Sequence, residues 1–195
     1  MRSASILALA ACLAAFFPAV LAGPVAAETA PVTVAPEKVL SSVTADWNDD
    51  ARMDRAVLVE GDGVADLIVY LSDGDNGMMP AAYAPGMVGS GINWGTLPGL
   101  VLTAKNGLQV HSENDAIGRY RWDQVLTLAW RNGQFVVAGI TYAVRDTLNT
   151  EAGGGCDINL LTGKGTSNGK AVTVAAAAIP VAQWSDDKLP AACQF

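Results

Sequence analysis

Six Asn-Gly or Asp-Gly pairs punctuate the chain, at Asp62-Gly63, Asp73-Gly74, Asn76-Gly77, Asn106-Gly107, Asn132-Gly133 and Asn168-Gly169. Both residues of such a pair accept the positive φ angles that tight hairpin turns demand, so pairs recurring between apolar runs predict antiparallel strands. The runs between them, at 56–60, 65–71, 100–103, 108–110, 125–130, 135–142 and 170–174, alternate or are rich in β-branched residues. The clearest hairpin is 125–130 and 135–142 joined through Arg131-Asn132-Gly133-Gln134. No stretch sustains a 3.6-residue apolar stripe of helical length, although Glu37 to Val43 has the pattern for a turn or two of helix. The expected fold is an all-β antiparallel meander forming a sandwich, barrel or propeller-like single domain. Residues 78–99, with glycines at 86, 89, 91, 95 and 99, are expected to form a long loop rather than a strand.

The first residues are set aside from that fold. Arg2 gives a positive start, residues 6–21 are almost wholly apolar, and small residues follow through Ala27. That is the pattern of a secretory signal peptide over residues 1–27, and the apolar run is short of the roughly 20 residues a membrane-spanning helix needs. Leu9-Ala10-Ala11-Cys12 also fits the motif at which bacterial lipoproteins are cut and lipidated, a minor alternative because the residues after Cys12 stay apolar. Residues 28–37 read as a linker and 38–195 as the β domain. The chain is expected to be periplasmic or secreted, with no transmembrane segment.

Two consequences follow from export. Cys156 and Cys193 are the only cysteines left once residues 1–27 are removed, and in a compartment where thiols oxidise they are expected to pair. The formal charge of −7 becomes −8, since Arg2 leaves and no acid does. Without clustered Lys and Arg a nucleic-acid partner is excluded.

The most specific short pattern is Asp46-Trp47-Asn48-Asp49-Asp50-Ala51-Arg52-Met53-Asp54. Asp46, Asn48, Asp50 and Asp54 occupy loop positions 1, 3, 5 and 9, and the Arg52 carbonyl occupies position 7. A hard cation collects six to eight oxygens, which a tight loop supplies by aiming alternate side chains at one centre. Calcium is therefore the expected cofactor, and a water-filled acidic turn is the alternative. Ala51 stands where such loops carry glycine, so a residue with a Cβ must adopt positive φ. Val57 at position 12 excludes an ordinary EF-hand.

Here the chain resembles the FG-GAP or VCBS type of repeat, whose calcium loop reads D-x-[DN]-x-D-G-x-x-D before a short β run. Over most of 38–193 it is similar to short exported bacterial proteins named after that repeat, through S-E-N-D-A-I-G-R at 112–119, W-x-Q-x-L-T-L-A at 122–129 and C-D-x-N-L-L-T-G at 156–163. The resemblance implies a fold and a compartment more than an activity. One loop does not make a propeller, which needs several repeats around an axis.

Function is read from what remains. His111 is the single histidine, and no G-x-S-x-G elbow accompanies it, although Ser112 or Ser90 offers a hydroxyl. Glu113, Asp115 and Asp123 supply carboxylates for a hydrolase of unknown class, or simply a polar turn. Trp122 and Trp130 are assigned to sheet packing, and Ser90, Gly91 and Trp94 to an exposed binding loop. The leading expectation is a non-catalytic exported domain that binds another protein at the cell envelope; its more specific form is an inhibitor of lysozyme-like hydrolases whose protruding Ser90-Gly91 loop enters the hydrolase cleft. The second is a carbohydrate or envelope-polymer binder.

Overall fold

The computed structural model describes residues 33–91, 95–149 and 151–195. The signal segment with Cys12, residues 28–32 of the linker, and Trp94 lie outside the described residues. Among those described, twelve strands form two antiparallel sheets. The first holds β1 (Val39–Ala45), β2 (Asp54–Glu60), β3 (Val64–Ser72) and β4 (Met78–Gly89), in sequence order. The second runs through β5 (Gly99–Leu102), β6 (Leu108–Asn114), β7 (Tyr120–Arg131), β8 (Gln134–Asp146), β9 (Gly153–Asn159), β10 (Lys164–Ser167) and β11 (Lys170–Thr173), again in sequence order, with β12 (Ile179–Pro180) paired to β8. Of the three architectures open from the sequence, the sandwich is the one formed. No helix among the described residues is long and apolar enough to cross a membrane.

Each sheet presents one apolar face, as a period-two pattern requires. Ala56, Leu58, Leu67, Val69, Ala84 and Met87 of the first sheet share a buried cluster with Leu108, Val110, Leu126, Phe135, Val137 and Ile158 of the second. The sheets are also stitched by a hydrogen bond from the Leu100 amide on β5 to Ser41 Oγ on β1, at 3.0 Å. Two hairpins use the turn chemistry read from the sequence. Arg131 pairs with Gln134 and Ser167 with Lys170, and the two residues between them have positive φ: 51° and 78° at Asn132-Gly133, 49° and 73° at Asn168-Gly169. Positive φ at both positions is the signature of a type I′ turn.

Two local expectations are corrected. Residues 37–43 make no helical turns beyond a single 3-10 turn at Pro36–Lys38, because Val39, Val43 and Thr44 fit the extended strand that follows. Residues 78–89, expected as loop, form the twelve-residue strand β4. Ala84, Met87 and Val88 carry its buried face, while Gly86, at φ 57°, sits where the register with β3 shifts. Asp66 holds that shift: its Oδ1 accepts the Gly86 amide at 2.7 Å and its Oδ2 the Tyr83 hydroxyl at 3.0 Å. As the terminal strand of its sheet, β4 tolerates Pro80 and Pro85, which have no N–H to offer a further strand.

Cys156 and Cys193 are bonded, with Cα atoms 5.2 Å apart. Both are buried. The bond fixes residues 181–193, a series of 3-10 turns, against β9 and β4, and Ser167 Oγ adds a 2.7 Å hydrogen bond to the Ala192 carbonyl. Closing a loop of 37 residues contributes about 4 kcal/mol in the chain-entropy picture.

Candidate functional site

The sandwich has two ends. At one lie the 46–54 loop and the turns after β3, β5 and β7. At the other lie the turns after β2, β4, β6 and β8, together with the 181–195 segment.

At the first end the loop satisfies itself. The Asp50 amide donates to Asp46 Oδ1 at 3.1 Å and to Asn48 Oδ1 at 3.2 Å, and the Ala51 amide donates to Asp46 Oδ2 at 2.8 Å. Asp50 Oδ1 accepts the Arg52 amide at 2.9 Å, and its Oδ2 accepts Asn48 Nδ2 at 3.0 Å. Ala51 has φ 65°, the left-handed conformation that its position demands and its Cβ resists. Asp49 is also left-handed, at 60°. Asp54 behaves differently from the other acids. It is wholly buried, accepting the Trp47 amide on Oδ2 at 2.9 Å and the Ser72 amide on Oδ1 at 3.0 Å. Trp47 then spans the sandwich: its Nε1 donates to the Asn106 carbonyl at 2.9 Å, and its ring meets Phe135 edge-on, with centroids 6.0 Å apart. Phe135 in turn packs on Trp130 at 5.0 Å.

The donor types suit a hard cation, and the side-chain oxygens of Asp46 and Asn48 converge on the Asp50 amide. Their carboxylates are not gathered with that of Asp54: no group of three or more His, Cys, Asp or Glu residues arranged for a metal occurs among the described residues. Asp54 instead anchors the loop to β3.

The second end contains polar groups that are not satisfied. Ser90 Oγ, Ser112 Oγ and Trp184 Nε1 are buried, with residue exposures of 1, 5 and 6%, and have no hydrogen-bond partner among the described residues. A buried orphan of this kind costs about 1–3 kcal/mol. Residues next to them in the chain or in strand register line a hollow of about 160 Å³: Gly89, Trp122, Gln124, Tyr142, Asp186 and Leu189. Ser90 follows Gly89 in the chain, Ser112 faces Gln124 in the β6–β7 register, and Trp184 lies two residues before Asp186. A cavity of about 150 Å³ admits one benzene-sized ring, so this hollow has room for a single six-membered ring. Gln124 Nε2 donates to Asp186 Oδ1 at 3.4 Å. Burial first, and the Asp186 charge second, push the Tyr142 hydroxyl up from its ordinary value, so it keeps its proton at neutral pH.

Of the expected binding loop, Ser90 and Gly91 lie among the described residues, and neither is exposed. Ser90 is 1% exposed and its amide donates to the Gly63 carbonyl at 3.1 Å, which ties it into the end of the first sheet. Gly91, at φ 79°, is half-buried.

The hydrolase candidates are dispersed. Ser112, Glu113 and Asn114 belong to β6 rather than to a polar turn. His111 and Ser112 are consecutive on that strand, so the pleat sends them to opposite faces and no Ser–His pair forms. His111 Nε2 instead pairs with Gln109 Oε1 at 3.1 Å, and burial lowers its pKa. Glu113 stands opposite Asp123 on the outer face. Desolvation first, and Asp123 next, raise its pKa. Arg145 bonds both Asp115 and Asp123, so these acids are ion-paired.

Sequence reasoning missed Gln124, Tyr142 and Asp186, and placed Trp122 in sheet packing. Trp122 and Tyr142 are half-buried. The available signal was Gln124, a polar residue at an inward position of the W-x-Q-x-L-T-L-A strand. Compared with family models, curated proteins and solved structures, the chain finds no match in any of the three.

Proposed function

We propose that this chain is an exported, non-catalytic binding module that holds a carbohydrate unit of an envelope polymer in the hollow beside Trp122, Gln124, Tyr142 and Asp186. The observation that carries the reading is a ring-sized hollow whose lining residues adjoin, in chain or strand register, three buried polar groups without partners among the described residues. A sugar ring carries hydroxyls on its rim and C–H groups on its faces. It can engage Ser, Gln, Tyr, Asp and indole N–H groups at the rim and a Trp ring at a face. Leaving such groups unpaired is costly without a ligand, and specificity comes from pairing them with one.

The polymer reading replaces the protein-partner reading as the leading one, because the inhibitor of lysozyme-like hydrolases needed a protruding Ser90-Gly91 loop. Periplasmic or secreted residence is part of the proposal, supported by the signal-like residues 1–27 and by the bonded cysteine pair. So is kinship with exported proteins of the FG-GAP or VCBS type. Calcium in the 46–54 loop is proposed with ligands from Asp46, Asn48, Asp50 and the Arg52 carbonyl. Asp54, read from sequence as the fifth ligand, would support the loop from behind.

The test is retention of the purified 28–195 domain on insoluble peptidoglycan, chitin and cellulose. Retention on at least one, lost in Trp122→Ala and Gln124→Ala while the thermal transition persists, is the expected result. No retention on any polymer, together with inhibition of a lysozyme-type enzyme, would return the protein partner to first place.

A further inference from the structure

The hollow beside Gln124 has a neighbour on the same sheet face. Inward positions of β7 and β8 pair in steps of two residues: Gln124 with Tyr142, Trp122 with Val144, and Tyr120 with Asp146. Burial falls along that series, from Gln124 at 7% exposed to Tyr120 at 60%. Beside its outer members lies a second hollow of about 270 Å³, lined by Tyr120, Val144, Arg145, Asp146, Gly153 and Phe195 among others. Trp122 borders the first hollow, and its register partner Val144 borders the second. Gln124 and Tyr120 are four residues apart on one strand, about 13 Å, which exceeds the reach of a single six-membered ring.

The second hollow differs chemically from the first. Its charges already have partners: Asp146 is clamped by the Arg119 guanidinium at 2.7 and 2.5 Å, and Arg145 pairs with Asp115 and Asp123. The remaining recognition surface is aromatic and aliphatic, formed by Tyr120, Phe195 and Val144. Phe195 is 48% exposed, yet its position is built. A Cβ on residue 154 would overlap the Phe195 ring, so Gly154 is what allows the ring to lie on the strand backbone. The disulfide anchors both sides, since Cys156 is two residues from Gly154 and Cys193 two from Phe195.

Resting on the carbohydrate reading above, we propose that the two hollows are consecutive subsites for one neutral oligosaccharide of at least two rings. The first ring is hydrogen-bonded beside Gln124, and the next lays its C–H faces on Tyr120 and Phe195. A neutral sugar is indicated because the chain carries a net charge of −7 and the charged side chains of the second hollow are already paired. A peptide would place one polar side chain in the first hollow and leave most of its hydrogen-bonding groups unmatched.

The experiment is calorimetric titration of the 28–195 domain with N-acetylglucosamine oligomers and cello-oligomers of one to four units. In at least one series, affinity should rise at least tenfold from one unit to two. Tyr120→Ala and Phe195→Ala should each remove that rise and keep the affinity for the single unit. Gly154→Ala, which displaces the Phe195 ring, should copy Phe195→Ala. Equal affinity for one and two units would overturn the second subsite and leave the first standing. Absence of binding in both series would overturn the first hollow as a sugar site and the second with it.

Discussion

The two ends of the sandwich treat buried polar groups in opposite ways. At the 46–54 end, Asp54 is wholly buried and both its oxygens accept amides, while Trp47 sends its indole N–H to Asn106. At the far end, Ser90, Ser112 and Trp184 are buried without partners among the described residues, next in chain or strand register to the lining of a hollow. Polar groups that are buried and paired fix a structure, whereas polar groups that are buried and unpaired weaken the free fold and await something that completes them. The loop that looked most chemical in sequence is thus largely a joint. The hollow at the far end is lined by residues from several separate segments.

The largest effect that would sharpen this contrast is expected from Asp54→Ala. It strips partners from two buried amides and leaves a void, and should lower stability by about 3 kcal/mol in urea unfolding. A loss under about 1 kcal/mol would mean that Asp54 is not the joint, and would revive it as a cation ligand. A smaller effect is expected at Ala51, whose φ of 65° strains a residue with a Cβ. Ala51→Gly should stabilise by about 1 kcal/mol. Calcium should raise the melting temperature of wild type and Ala51→Gly alike, and an unchanged melting temperature in calcium and in chelator would leave the loop as an acidic turn. The smallest shift, opposite in sign to that at Asp54, is expected at the far end. Ser90→Ala and Ser112→Ala each delete an orphan hydroxyl and should leave stability unchanged or raised by up to about 1 kcal/mol while weakening polymer retention. Destabilisation there comparable to Asp54→Ala would erase the distinction between the ends.

What the sequence disclosed was local. Asn132-Gly133 specifies its own hairpin because positive φ and the alternating flanks act within a few residues, and the pairing of Cys156 with Cys193 follows from their being the two cysteines outside the signal-like residues 1–27. What stayed hidden depended on distant partners. The glycines of 78–89 argued for a loop, yet Gly86 marks a bulge held by Asp66, twenty residues earlier. Asp54 sits at a ligand position in the motif, but the end of β3 recruits it through the Ser72 amide. The candidate site draws Gln124 and Tyr142 from two strands and Asp186 from a segment held by the disulfide, so no window of sequence contains it.

The strand order carries a last consequence. From β1 to β4, and again from β5 to β11, every strand pairs with its neighbour in the chain. Such wiring lets each hairpin zip onto the previous one with little loop to close, the arrangement associated with fast folding among β proteins. A chain growing from its N-terminus can complete the first sheet before β5 exists, which shortens the time its apolar face waits uncovered. All twelve strands precede Cys193. The bond to Cys156 can therefore close over a sandwich already assembled, as a latch on the finished fold.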